Sequence, residues 1–181
     1  YTFDTFIRGA KGSEWAAGLH EDYDTFVFLS DADTAFIGAD IQALGVERLY
    51  RGLTTAQDIG EVGNTAFTYN GMNLKPLAPN HLAGVLDVND WDLSWMRRTR
   101  VSDSWWNTGI DPPLGEASES YEIDIMSGAD VVRTLTSTSE AVTYTSAKQV
   151  TDFGGNQTSL TFRVYQMSAT VGRGLVAEVT V

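Results

Sequence analysis

The sequence predicts an all-β protein, in which a small β-rich N-terminal module is followed by a β-sandwich. Apolar and polar residues alternate along many short segments, which is typical of strands that bury one face. Patterns of helical period are scarce, and Gly, Asn and Asp stand between the segments, where tight turns are needed. These observations favour two stacked sheets over a helical or an α/β fold.

The N-terminal module is predicted over residues 1–74. Its strands are expected near residues 2–8, 25–30, 48–53 and 66–70. Residues 13–18 carry the start and stop signals of one short helix. Residues 41–45 are predicted as a helical turn or as a loop with apolar anchors. The polar stretch over residues 55–64 is predicted to be an exposed connection.

A linker is predicted over residues 75–79, because Pro76 and Pro79 stiffen the chain and remove backbone donors. The sandwich is predicted over residues 80–181, at the strand spacing expected of this architecture. Its seven strands are expected near residues 82–86, 91–97, 120–126, 131–136, 141–145, 160–167 and 176–181. Trp91 and Trp95 share one face of their strand, so both are predicted to be core residues.

Composition limits the classes of partner. The net charge is -12, from 24 acidic and 12 basic residues. An excess of carboxylates repels phosphate backbones and anionic lipid surfaces, so neither nucleic-acid binding nor membrane docking is expected. The chain has no Cys, which excludes disulfides and thiolate metal sites. No apolar run reaches the length of a membrane span. Because the chain begins at Tyr1 and not at Met, we expect it to be a piece of a longer polypeptide.

Acidic residues form two clusters in the sequence. Glu122 and Asp124 alternate with Tyr121, Ile123 and Ile125, so we predict that they are solvated charges on the outer face of a strand and not a glycosidase pair. The other cluster leaves open a loop-type calcium site that would use Asp22, Asp24, Asp31 or Asp33.

No catalytic constellation stands out. The chain has only His20 and His81, and neither has a partner at the spacing of a metal site or a catalytic triad. We therefore predict that the chain is not an enzyme and that it holds no cofactor. No metal site is predicted either, with only the loop-type calcium site left open.

The candidate interaction surface combines a tryptophan pair with two arginines. Trp105 and Trp106, followed by Asn107, lie in a polar loop where two consecutive tryptophans cannot easily enter one core. Contact with a neighbouring protein or domain, packing within the module and glycan binding all remain open for this pair. Arg98 and Arg100 belong to a basic run, which we predict to form a salt-bridge ladder with the strand at residues 121–125.

Four segments together resemble a fibronectin type III module. They are Pro76–Pro79 before an apolar strand, Leu93-Ser94-Trp95, Tyr121-Glu122-Ile123-Asp124-Ile125 and Leu160-Thr161-Phe162-Arg163-Val164-Tyr165. The resemblance implies that Trp95 is the core tryptophan of the second strand and that Phe162 and Val164 point inward. Leu160 stands where the family usually has Tyr, so the tyrosine-corner hydrogen bond should be missing.

A narrower resemblance covers most of the chain. It is carried, in this order, by Arg48-Leu49-Tyr50-Arg51, Phe67-Thr68-Tyr69-Asn70-Gly71, Leu74-Lys75-Pro76-Leu77-Ala78-Pro79-Asn80-His81-Leu82, Ser94-Trp95-Met96-Arg97-Arg98-Thr99-Arg100, Pro113-Leu114-Gly115-Glu116, Glu119-Ser120-Tyr121-Glu122-Ile123-Asp124, Arg163-Val164-Tyr165-Gln166-Met167-Ser168 and Val171-Gly172-Arg173-Gly174. Together these strings resemble the C-terminal part of the large multidomain baseplate hub protein of gene transfer agents and related siphophages. The family implies a virion protein of the tail tip that is assembled around the threefold axis of the tail.

The expected function is therefore that of a non-catalytic structural and interaction segment of a phage-type tail tip, which contributes to tail assembly and host contact. The expected partners are other tail-tip or baseplate proteins, a homotrimer formed through the parent protein, and a host surface polysaccharide or receptor. The alternative is a carbohydrate-binding or adhesion module that recognises a host surface glycan, since one fold can carry either function.

Overall fold

A computed structural model of the chain describes residues 13–19, 21, 23–25, 37–101 and 112–181. The chain divides into two compact units, one of residues 21–74 and the other of residues 75–181 with the segment before residue 21. The division falls at Lys75, the first residue of the predicted linker. The predicted strand at residues 2–8, and residues 26–30 of the next, lie outside the described residues.

The smaller unit is built on one antiparallel hairpin, whose strands are β1 (Glu47–Tyr50) and β2 (Thr65–Thr68). The predicted helical turn is confirmed as a short 3-10 helix at Ile41–Ala43, where the side chain of Asp40 accepts a hydrogen bond from the Gln42 amide. Two further 3-10 turns lie at Ile59–Glu61 and Met72–Leu74. We call this unit the hairpin module.

The larger unit has two sheets. One contains β3 (Asn80–Asp87), β4 (Asp90–Met96) and β7 (Ala141–Tyr144) in that spatial order. The other has the order β10 (Ala177–Thr180), β8 (Thr161–Ser168), β5 (Tyr121–Ser127), β6 (Asp130–Ser137), and the short β9 (Gly172–Arg173) pairs with the end of β8. All pairings are antiparallel. This strand order is that of a fibronectin type III-like sandwich, so the predicted fold class is confirmed.

The core lies between the two sheets. Trp91, Leu93 and Trp95 line the inner face of β4 and are all buried, as predicted. They are joined by the fully buried inner residues of β5 and β8, namely Tyr121, Ile123, Ile125, Phe162 and Val164. Trp95 and Tyr121 meet edge to face across the core, with 5.2 Å between ring centroids. Burial of each large apolar side chain stabilises the fold by about 1.5–3 kcal/mol.

One helix that the sequence did not predict, α1 (Ser146–Phe153), connects β7 and β8. Its first amide, on Ser146, donates at 2.6 Å to Oδ1 of Asp90, the first residue of β4, so a distant side chain caps the helix. Gly154 ends the helix with a φ of 77°, a left-handed conformation that favours glycine.

Helix α1 is anchored to both sheets through polar side chains. Asp152 accepts two hydrogen bonds from Arg133 of β6, at 2.6 and 2.7 Å, and one from the Tyr144 hydroxyl of β7 at 2.7 Å. Gln149 is fully buried and donates to the carbonyls of Asn89 and Tyr144. Along the described part of the chain, no helix is long and apolar enough to cross a membrane.

Candidate interaction site

The arginine run directly follows β4. Arg97 Nε donates to the Pro112 carbonyl at 2.6 Å, and its Nη1 lies 3.3 Å from Glu119 and 3.7 Å from Glu140. Glu140 also accepts a hydrogen bond from the Arg97 backbone amide at 2.6 Å. Arg97 therefore ties the end of β4 to the segment before β5 and to the β6–β7 turn, which is a structural role.

The two predicted interaction arginines are also paired. Arg98 Nη2 donates to Glu14 at 2.6 Å, and Arg100 Nη2 donates to Glu116 at 2.9 Å. The prediction of carboxylate partners is confirmed, but the prediction that they lie on the strand at residues 121–125 is wrong. The physical reason is that β4 ends at Met96, so both arginines extend beyond the sheet and meet carboxylates outside it.

The other predicted residues of this surface, Trp105, Trp106 and Asn107, lie outside the described residues, so their role stays a prediction. The same holds for Asp22, Asp31 and Asp33 of the possible calcium loop. The fourth member, Asp24, accepts a hydrogen bond from the Glu21 amide at 2.9 Å. Within the described ranges, no group of His, Asp or Glu side chains is arranged to hold a metal ion.

The carboxylates of β5 do not behave as solvated strand charges. Asp124 is only 2% exposed. Arg173 of β9 donates to both of its oxygens, at 2.6 and 3.0 Å, and to Glu122 at 2.6 Å. The Arg173 guanidinium lies 4.4 Å from the centre of the Tyr165 ring, a cation–π distance. The prediction of a solvated face is therefore wrong for Asp124, because a strand that the sequence did not predict covers it.

This environment shifts the pKa of Asp124. Burial alone would raise the pKa, but hydrogen bonds from Arg173 and Thr134, together with the arginine charge, lower it below its ordinary value. Asp124 therefore stays ionised, and it serves as an internal counter-ion for Arg173 and not as a proton donor.

The hairpin module carries a groove that the sequence did not predict. In the hairpin register Arg48 lies opposite Phe67, and Tyr50 is two residues along on the same face. The rings of Tyr50 and Phe67 meet edge to face, with centroids 6.4 Å apart. Tyr69 lies at the same groove and its hydroxyl donates to Asn73 Oδ1 at 2.8 Å. Aliphatic residues, including Ala43 and Val46, complete a groove of about 470 Å³.

The signal for this groove was present in the sequence. Alternation places Arg48 and Tyr50 on one face of β1 and places Phe67 and Tyr69 on one face of the segment through β2. Only the pairing of the two strands, which the periodicity does not reveal, brings the two sets together.

The opposite face of the hairpin carries the exposed side chain of Leu49, together with Glu47, Ala66 and Thr68. Leu49 of β1 is 59% exposed, and Leu53 and Ile59 beyond the strand are exposed as well. Among the described residues of this module, Ala43 is the only buried apolar side chain. The three exposed apolar side chains are therefore available for contact with another molecule.

No protein-family model matches the chain, and no curated protein matches it. Among solved structures, domains d3–d4 of the rat CD45 extracellular region align with 90% of this chain and 78% of that chain, at 11% identity and a TM-score of 0.40. The FN5 domain of Drosophila Lar aligns with 59% of this chain and 94% of that chain, at 15% identity and a TM-score of 0.33.

A third similar structure is the spore cortex lytic enzyme SleM of Clostridium perfringens. The alignment covers 71% of this chain but only 36% of SleM, at 10% identity and a TM-score of 0.37. At these TM-scores the three similarities do not bear on function, and the fold assignment rests on the strand order.

Proposed function

We propose that the chain is a non-catalytic structural and interaction segment of a phage-type tail tip or baseplate hub protein. In this proposal it acts in the virion tail tip, where it contributes to tail assembly and to host contact. Its partners are other tail-tip or baseplate proteins, and the parent protein assembles as a homotrimer. The observation that carries the interaction role is the exposure of large apolar side chains in the hairpin module, namely Leu49, Leu53 and Ile59.

The assignment to a tail tip is supported by the ordered strings that resemble the hub protein. Several of these strings contact one another in the sandwich. The Met167 amide donates to the Ser120 carbonyl at 2.8 Å, and Gln166 Nε2 donates to the Leu114 carbonyl at 3.3 Å. Arg173, from the last string, donates a hydrogen bond to Glu122 of the sixth. Four of the eight strings therefore meet in the sandwich.

The hairpin module supports an interaction role because its apolar side chains are left exposed. A two-stranded hairpin is at best marginally stable on its own in water. Covering exposed leucine and isoleucine side chains with a partner surface stabilises both the complex and the hairpin, by about 25 cal/mol for each Å² of apolar area removed from water.

A second candidate function is a carbohydrate-binding or adhesion module that recognises a host surface glycan. The groove favours it, because its aromatic rings stand beside an arginine and an amide in a cavity of small-molecule size. The groove and Leu49 lie on opposite faces of the hairpin, so the two functions are compatible and can be tested separately.

The interaction role is tested by placing a charge at the exposed position of Leu49. In particles, Leu49→Asp should reduce the yield of complete tails about tenfold or more, because a desolvated carboxylate at an interface costs several kcal/mol. The matched control is Val131→Asp, at a position of β6 that is 48% exposed. Tails are counted by electron microscopy, and the Tm of each isolated chain is measured. Normal tail yield with Leu49→Asp would contradict the proposal, as would an equal loss with Val131→Asp.

A further inference from the structure

The groove of the hairpin module offers aromatic surface to a ligand. Phe67 is 57% exposed, and the half-buried Tyr50 meets its ring edge to face. Aromatic rings carry negative potential on their faces, which attracts the C–H bonds on one side of a pyranose ring. A ligand that is flat and amphipathic fits this surface better than a compact polar one.

Arg48 adds a cation to this surface, and no side chain or carbonyl of the described residues pairs with it. Arginines elsewhere in the chain form ion pairs with carboxylates, namely Arg97, Arg98, Arg100, Arg133, Arg163 and Arg173. Arg51 is held by Asn64 and by the Ile59 carbonyl. Within the described residues, the Arg48 guanidinium has neither an ion pair nor a hydrogen bond. In a chain with a net charge of -12, a free guanidinium at a groove indicates a ligand with a negative charge.

The guanidinium fork suits an oxyanion, such as a carboxylate or a phosphate. Its parallel N–H groups match the two oxygens of a carboxylate. The Asn73 side chain accepts from Tyr69 through Oδ1, which leaves its amide N–H groups to donate to ligand hydroxyls. A volume of about 470 Å³ is within the range of small-ligand sites.

We propose that the groove binds a pyranose ring that carries a carboxylate, the uronic-acid class found in acidic polysaccharides. The sugar ring packs on Phe67 and Tyr50, the carboxylate pairs with Arg48, and a ring hydroxyl accepts a hydrogen bond from Asn73. This proposal rests on the second candidate function, carbohydrate binding, and not on the assembly role, since the groove lies on the hairpin face opposite Leu49.

The test is an NMR titration of the full chain with methyl β-glucuronide, with methyl β-glucoside and acetate in parallel. The glucuronide should shift the amide signals of β1 and β2 in a saturable way, with a dissociation constant in the millimolar range. The glucoside lacks the carboxylate and acetate lacks the ring. Each should therefore bind about tenfold more weakly or worse.

Three variants assign the contacts. Arg48→Gln should weaken glucuronide binding about tenfold. Lys148→Gln removes the same charge from α1 in the other unit and should leave the affinity unchanged. Phe67→Ala should weaken the glucuronide and the glucoside by the same factor, since it removes stacking surface that both sugars use. A circular dichroism spectrum verifies that each variant is folded.

Several results would overturn this site. They are the absence of saturable shifts in β1 and β2, equal affinity for glucuronide and glucoside, equal affinity for glucuronide and acetate, or full affinity in Arg48→Gln. Normal tail yield with Leu49→Asp would overturn the assembly role alone, so the two proposals fail independently.

Discussion

The carboxylate of Asp124 lies on the outer face of β5, yet Arg173 and Thr134 contact both of its oxygens. Removal of one partner of a buried ion pair leaves the other charge buried without a partner. This lowers the free energy of unfolding more than the loss of an exposed ion pair does. Arg163 and Glu178 form such an exposed pair on the same sheet. The two pairs therefore give a matched comparison of buried and exposed charge.

We predict that Asp124→Asn lowers the free energy of unfolding at neutral pH by about 2 kcal/mol. The control, Glu178→Gln, should change it by less than about 0.5 kcal/mol. Urea unfolding followed by tryptophan fluorescence measures both values. Equal effects of the two substitutions would contradict the buried role of Asp124.

The same pair predicts how stability depends on pH. Because the pKa of Asp124 is lower in the folded chain than in the unfolded chain, its contribution is present above the unfolded pKa of about 3.8. That contribution is lost as the pH falls through the folded pKa. The wild-type chain should therefore lose more stability below about pH 4 than Asp124→Asn does. An identical acid dependence of the two chains would show that Asp124 has no part in it.

Alternation along β5 was enough to predict that Tyr121, Ile123 and Ile125 are core and that Asp124 faces outward. It could not predict that Asp124 is buried, because its cover comes from Arg173, 49 residues away in sequence. A period of two assigns a residue to a face of the sheet, but it does not reveal what lies over that face.

Strand β9 is a short element, and its position depends on one glycine. A Cβ at Gly174 would lie 2.7 Å from the Pro76 carbonyl oxygen and 2.8 Å from that of Gln166. The Gly174 amide donates to Gln166 O, and the Leu175 amide donates to Pro76 O. The close approach therefore joins the start of the sandwich to β8 and to the segment that carries Arg173.

We predict that Gly174→Ala lowers the free energy of unfolding by about 2–3 kcal/mol, because two backbone carbonyls would have to move. Gly155→Ala is the matched control, since a Cβ there meets nothing within 4 Å, and its effect should be neutral or slightly stabilising. Chemical unfolding of the two variants measures the difference. A Gly174→Ala chain as stable as Gly155→Ala would contradict the close approach.

Helix α1 shows why one element escaped prediction. Its buried residue is Gln149 and not an apolar one, and the side chain that caps its first amide comes from Asp90, 56 residues earlier. A helix is predicted from apolar residues that recur with helical period, and neither a buried Gln nor a distant capping residue contributes to such a pattern. Gly154, followed by Gly155, was the available signal of a helix end, but a glycine pair between two strands is equally typical of a turn.

At the scale of the whole molecule, the two units differ in how they treat apolar residues. The sandwich buries its large side chains between two sheets, and its architecture followed from strand spacing and alternation alone. The hairpin module exposes Leu49 and Phe67 on opposite faces. Strands β1 and β2 were predicted to within a few residues. The groove between them was not predicted, because strand pairing is a tertiary property.

The candidate interaction surface was predictable only in part. The sequence predicted that the arginines pair with carboxylates, but it did not predict which carboxylates these are. The partners depend on the course of the chain after Met96. Trp105 and Trp106 remain predicted contacts outside the described residues. The surfaces that now carry the functional proposals belong to the hairpin module.

The central claim is that this chain belongs to the tip of a phage-type tail. Immunogold electron microscopy tests it most directly, with antibodies raised against the purified chain and applied to particles released by the cells that encode it. We predict gold label at the distal end of the tail and no label on the capsid. Label on the capsid, label spread along the tail tube, or particles that carry no label would contradict the claim.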